Sequence, residues 1–250
     1  MNQIMLAQLL DIGERMLISG AEVNRVEETI SRMVKAYGVY RVDVFTITSS
    51  IVVTVTTELG EMLSQTRRIL TYETNLDKLR KLNQLARSVV ADCPASSDIA
   101  KQLHEIQETE LYPSWLKLII YGLIAGSFCI FFGGTIEDGL VAALIGIVLK
   151  LSISLLSKVE RNTVMVHVLS PFLIGSLAIG LNRIGLGDQI EMILIGNIML
   201  LIPGLSLTNS IRDIISGDTM AGILRMSEAV LVSLSIAIGF GLSTLMWGGW

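Results

Sequence analysis

The chain has 250 residues, 51% of them hydrophobic and 17% charged, with a mean hydropathy of +0.62. Residues 1–114 carry 12 Lys/Arg and 15 Asp/Glu, whereas residues 115–250 carry 7 and 8, so a charged part precedes a charge-poor one and an ordinary soluble enzyme is excluded. A formal charge of −4 and a pI near 5.3 leave no basic surface of the kind a phosphate backbone requires, so no nucleic-acid partner is expected.

The first twenty residues include Asp11 and Glu14 within their apolar stretch and lack a positive leading segment. They do not read as a secretory signal, which places residues 1–114 in the cytoplasm. Residues 4–19 and 21–37 read as an amphipathic helix pair, with Val23, Val26, Ile30, Met33, Val34 and Tyr37 recurring on one face. Ser19 and Glu22 have capping-box spacing, and Gly38 closes the second helix. Residues 40–48, 50–57 and 61–70 alternate in the β manner. A helix follows through Leu76, Leu79, Leu82, Leu85 and Val89, stopped by Pro94, and another runs from 97 to about 110. Residues 1–114 are therefore expected to form a cytoplasmic α+β domain.

Within it, Glu22, Arg25, Glu27 and Glu28 crowd one helical stretch. Carboxylates beside an arginine suit acid–base chemistry, but in a helix these side chains fan out, and a salt-bridged, solvated helix face is the preferred reading. No GxSxG, P-loop, HExxH or dinucleotide fingerprint is present, so neither a cofactor nor ATP-driven transport is indicated. Cys93, Cys129, His104 and His167 are scattered, and no metal cluster is expected.

Four windows in the second part, 118–136, 162–182, 192–211 and 229–250, lack Asp, Glu, Lys and Arg over 19, 21, 20 and 22 residues. A fifth, 139–157, is interrupted only by Lys150. Each is long enough to cross a bilayer, which needs about 20 largely apolar residues. Five transmembrane helices are expected at 115–134, 137–157, 164–182, 189–207 and 228–249, making the chain an α-helical integral membrane protein with the lipid bilayer as its first partner. Lys/Arg residues gather on the side shared with the N-terminus, leaving Arg183 for the other, so the N-terminus faces the cytoplasm and the C-terminus lies outside.

The fourth span meets Pro203 and Gly204 and continues as LSLTNSIRDIISGD. A proline and a glycine there predict an interrupted helix, with freed carbonyls against protein or a watery cavity. Asn197, Asn209, Arg212 and Asp213 surround the break and are candidates for a substrate pathway. A structural kink followed by an amphipathic interfacial helix is the alternative. Lys150 is the other intramembrane candidate: it faces a partner or pore, or its stem snorkels to the inner surface. Arg225 and Glu228, three apart, read as an inner-gate ion pair. Small-residue steps at Gly122/Gly126 and Gly239/Ser243 suit close helix packing.

SGAEVNRVEETISRMVKAYGV near the start, TRRI at 66–69 leading into NLDKLRKLNQLAR, and IPGLSLTNSIRDIISGDTMAGILRMSEAVL near the end resemble the threonine/serine exporter (ThrE) family. The match spans nearly the whole chain, and within the family it is similar to the YjjP-like half-length members. The resemblance marks Gly20, Glu22, Arg25 and Glu28 as an N-terminal motif. It implies a bacterial inner-membrane exporter of small polar metabolites, either threonine- and serine-type amino acids or dicarboxylates such as succinate. It also implies a small second membrane subunit of about 150 residues. An odd number of spans suits one half of an inverted-repeat transporter, whose other half comes from that subunit or from a second copy. A gradient is then the energy source. A membrane-anchored hydrolase and a metabolite-sensing scaffold, both using the N-terminal domain, are the alternatives.

Overall fold

A computed structural model describes residues 1–108, 112–160 and 162–247. The chain divides into two compact units, one of residues 1–109 and 204–227, the other of residues 110–203 and 228–250. The charged N-terminal part is thus joined by a late segment that charge density alone assigned to the membrane part.

In the first unit, α1 (Gln3–Ile18) and α2 (Val23–Ala36) lead into β1 (Arg41–Ile47), β2 (Ser50–Thr56) and β3 (Met62–Arg68). The strands form an antiparallel meander with β2 in the centre. Ile51, Val53 and Val55 on β2 are buried, and the register places Val42, Val44 and Leu63 on the same face. Helices α3 (Leu76–Asp92) and α4 (Ser96–Glu108) complete a core that also contains Leu6, Leu10 and Ile30. The end of the last expected helix, at 109–110, lies outside the described residues. Gly13 permits the close approach of α1 and α2, since a Cβ there would lie 2.4 Å from Ile30 Cδ1. Arg67 of the TRRI run ties β3 to α1 through Asp11 at 2.8 Å.

The expected capping box does not form. Ser19 closes α1, and Glu22, the residue before α2, makes no side-chain cap hydrogen bond. The spacing was right, but Gly20 with φ +98° turns the chain between the two helices and carries the Ser19 hydroxyl away from the start of α2.

The second unit holds α5 (Ser114–Phe131), α6 (Ile136–Val159), α7 (Thr163–Arg183) and α8 (Ile190–Ile198). Its remaining helix is the later part of α10 (Thr219–Trp247), whose first residues belong to the first unit. Among the described residues, four helices are long and apolar enough to cross a membrane: Ser114–Phe131, Ile136–Lys158, Thr163–Arg183 and Thr219–Trp247. The other expected span, 189–207, is divided into α8 and α9 (Gly204–Ile215), and the last helix begins earlier than expected, at Thr219.

Backbones in this unit approach closely through small residues. A Cβ at Gly126 would stand 2.7 Å from the Gly139 carbonyl oxygen, and one at Gly196 would stand 2.5 Å from that of Ala125. Gly239 of α10 meets α7 in the same way at Val168, and Ser243 meets Gly175. Such contacts gain dispersion energy where an apolar solvent supplies no hydrophobic drive. Leu123, Phe131, Leu140, Leu144 and Leu155 are left exposed, a surface suited to lipid chains.

Candidate functional site

The Pro203–Gly204 break falls where the chain leaves the second unit for the first. Helix α8 ends at Ile198, residues 199–203 form turns in which Leu201 N–H donates to the Ile198 carbonyl at 2.9 Å, and α9 starts at Gly204. A Cβ at Gly204 would meet nothing within 4 Å. Pro203, which lacks a donor, therefore accounts for the stop, and it precedes a helix start where no donor is required.

Beyond the break, α9 and the start of α10 form a helical hairpin turned at Gly217, with φ +100°. Gly222 lets the two helices close, because a Cβ there would lie 2.7 Å from the Ser210 carbonyl oxygen. The hairpin presents Asn209, Arg212, Asp213 and Arg225 to the SGAEV segment. The Asn209 amide donates to the Gly20 carbonyl at 3.0 Å. Arg225 donates to the Ala21 carbonyl at 3.1 Å, and Arg212 pairs with Glu22. Asp213 Oδ1 accepts from the Val23 amide at 3.1 Å, and its Oδ2 faces Arg225 Nη1 at 3.3 Å. A carboxylate remote in sequence thereby caps α2, replacing the local cap that Ser19 does not supply.

Asp213 and Arg225 are buried, at 1% and 8% side-chain exposure. Burial pushes the Asp213 carboxyl above the usual carboxylate range, and the Arg225 guanidinium and the Val23 amide oppose that rise. Asp218 and Glu22 add to it. Nearby Glu27, whose carboxylate accepts from the Thr46 amide at 2.5 Å, is also raised by burial. Arg225, expected as half of an inner gate with Glu228, makes a salt bridge with Asp213. Of the N-terminal motif, Gly20 and Glu22 join this interlock, while Glu28 pairs with Arg32 and Arg25 stands on the exposed side of α2.

The remaining candidates lie in the second unit. Asn197, the next-to-last residue of α8, is fully buried; its amide donates to the Ile193 carbonyl at 2.9 Å and to the Ala142 carbonyl at 3.4 Å. Its side-chain oxygen has no hydrogen-bond partner among the described residues, and neither has the buried Ser170 hydroxyl on α7. Lys150 stands over the Tyr121 ring at 5.0 Å, a cation–π contact.

One buried group escaped sequence reasoning. Asp138 accepts from the Thr135 amide at 2.9 Å and hydroxyl at 2.7 Å, and from the Asp188 and Gln189 amides at 2.8 and 3.1 Å. It therefore holds the loop entering α8 against the start of α6. The Thr135-x-x-Asp138 spacing was a readable capping signal, but the loop amides were not.

The family model described as putative threonine/serine exporter matches residues 8–247. The chain belongs to this family. The exporter family is one of membrane transporters, and the four apolar helices accord with that. A probable succinate transporter subunit YjjP of Klebsiella aerogenes is 25% identical over 238 residues, covering 94% of this chain and 92% of that protein. The Escherichia coli protein of the same name is 24% identical over 246 residues, covering 96% and 94%. A threonine/serine exporter of Corynebacterium glutamicum is 25% identical over 238 residues, covering 92% of this chain but 49% of that longer protein. No solved structure matches.

Proposed function

We propose that this chain is one subunit of a secondary transporter that exports small polar metabolites, threonine- and serine-type amino acids or dicarboxylates such as succinate, across the bacterial inner membrane. The observation that carries the reading is the divided helix itself. In a chain of this family, an apolar unit holds a fully buried Asn197, its side-chain oxygen without a partner among the described residues, six residues before a Pro203–Gly204 interruption. A buried polar atom with no partner costs about 1–3 kcal/mol, so a site that keeps one has a use for it. Asn197, Pro203 and Gly204 then line the path, with Lys150 a second polar element. The hairpin of Asn209, Arg212, Asp213 and Arg225 follows the break in the chain and is fastened to the N-terminal domain, and Arg225 with Glu228 forms the inner gate.

The pairing with a small second membrane subunit is supported by the word subunit in two relatives' names and by the half-length match to the Corynebacterium exporter. Coverage of only half of a longer exporter is what a split system requires, with a second copy of this chain as the other means of completing it.

Efflux of labelled threonine, serine and succinate, measured from cells expressing the chain with and without a candidate small second membrane subunit, tests the reading. Efflux of one labelled class above the empty-vector control is expected, and it should fall at least tenfold in N197L while the variant still inserts. Unchanged efflux in N197L would remove Asn197 from the path. No efflux of any of the three with either arrangement would refute the exporter assignment.

A further inference from the structure

The first unit carries an open cleft of about 680 Å³ between α2 and α3, apart from the buried interlock. Its volume falls within the roughly 300–1,000 Å³ of small-molecule sites. Three arginines line it, Arg25 and Arg32 from α2 and Arg87 from α3, with Glu22 and Glu28 as the acidic residues. Both carboxylates are engaged, Glu28 with Arg32 and Glu22 with Arg212. Neither Arg25 nor Arg87 has an ion-pair or hydrogen-bond partner among the described residues. Two guanidiniums from two helices thus share one cavity uncommitted.

The start of α2 adds to the positive character. The first amides of a helix have no partner within it. That of Val23 is taken by Asp213, and the residues that follow it, Asn24 and Arg25, line the cleft. The cleft also contains an apolar strip, supplied by the exposed Val90 with the largely buried Ala86 beside it. An anion of phosphate type would use the charges and leave that strip idle. A short carbon chain bearing carboxylates would use both.

We propose that this cleft binds a small organic dicarboxylate, held by Arg25 and Arg87 with its carbon chain on Ala86 and Val90. Because Glu22 both lines the cleft and pairs with Arg212, occupancy is felt at α9, the helix that follows the break. The site is a regulatory one for the N-terminal unit, distinct from the transport path, and its existence does not depend on what the chain transports.

Binding is therefore read without flux. Detergent-purified full-length protein is titrated with succinate, inorganic phosphate and threonine, and hydrogen exchange is followed across the peptides of α2 and α3. Saturable succinate binding with slowed exchange in both helices is expected. R25Q and R87Q should each weaken it at least tenfold, and E28Q, which frees Arg32, should tighten it severalfold. Phosphate binding as tight as succinate would overturn the dicarboxylate assignment. Succinate affinity unchanged in R25Q/R87Q, or exchange slowed only in α5 to α8, would assign the binding to the membrane unit and refute the site. Such a refutation would leave the efflux experiment, and the exporter reading, untouched.

Discussion

Removing either member of the Asp213–Arg225 pair should be costly, and removing both should be much cheaper. The two side chains face each other at 3.3 Å while almost wholly buried, and each also holds backbone of the SGAEV segment. At an effective dielectric near 20, unit charges at this separation attract by about 5 kcal/mol, a gross value from which desolvation is subtracted. Breaking such a pair from one side costs about 3–5 kcal/mol, because the other charge stays buried without compensation. R225M strands the Asp213 carboxylate and frees the Ala21 carbonyl. D213N strands Arg225 but preserves an oxygen for the Val23 amide. In D213N/R225M no charge is left buried, and the loss should shrink to about 1–2 kcal/mol, mostly the Ala21 hydrogen bond.

Pulse proteolysis of the detergent-purified protein in urea, read on the N-terminal unit, measures the difference; with an m-value of about 2 kcal/mol/M, each single variant should move the midpoint down by about 2 M. The pH dependence supplies a second readout. Asp213 is held above its ordinary pKa by burial, so the folded state binds its proton more tightly than the unfolded state does, and stability from this group rises as pH falls through the folded pKa. R225M removes the charge that opposes this rise, so its deficit should narrow on acidification from pH 8 towards 5. Additive single-variant losses, or an R225M deficit independent of pH, would refute the picture of a coupled buried pair.

Three further outcomes follow from the packing. G13A drives a methyl to 2.4 Å from Ile30 Cδ1, so it should lose about 1–3 kcal/mol despite alanine's better helix propensity, and G13A/I30V should recover part of it in the same urea assay. D138A leaves the Asp188 and Gln189 amides without their acceptor; labelling of a cysteine placed at Leu186 should speed up severalfold as the loop before α8 loosens. R67M removes the link from β3 to Asp11 and Ala7; the ion pair, with side chains 24% and 31% exposed, is still reached by solvent, so the expected loss is small, about 1 kcal/mol, visible as faster amide exchange in β3 with α2 unchanged.

Elements with a strong period were legible in the sequence. The valine and isoleucine stripe of α2, the alternation of β2 and the leucine steps of α3 placed these segments within a few residues, because each buries one face and periodicity records that face. The Pro203–Gly204 interruption was legible for the same local reason. Partnerships were not. Ser19 and Glu22 had the spacing of a cap, yet Glu22 pairs with Arg212, 190 residues away, and the cap of α2 comes from Asp213. The salt bridge of Arg225 to Asp213 reaches across a hairpin, from a residue twelve positions earlier, and no local spacing announces it. Spacing reports which residues share a face; it carries no information on which other element that face meets.

The hairpin also explains why the late signature reads RD…GD…G…R. Gly217 takes the positive φ of the turn, and the Asp218 carbonyl accepts from the Gly222 amide as α10 begins. Gly222 removes the Cβ that would collide with Ser210 and Ile214. With the helices closed about that turn, Asp213 before it and Arg225 after it come face to face. Each of these residues is thus accounted for by building the hairpin and fastening it to Gly20 through Val23. Groups already satisfied in this way are poor candidates for transient substrate contacts, since every such contact would first have to break one of these. Among the described residues the uncommitted side-chain atoms include Asp218 Oδ2 in the hairpin turn, Thr46 Oγ1 on β1, Asn197 and Ser170 in the apolar unit, and Arg25 and Arg87 in the cleft between α2 and α3. Ligand chemistry is therefore to be sought at those positions, with the hairpin as the element that connects the N-terminal motif to the helix break.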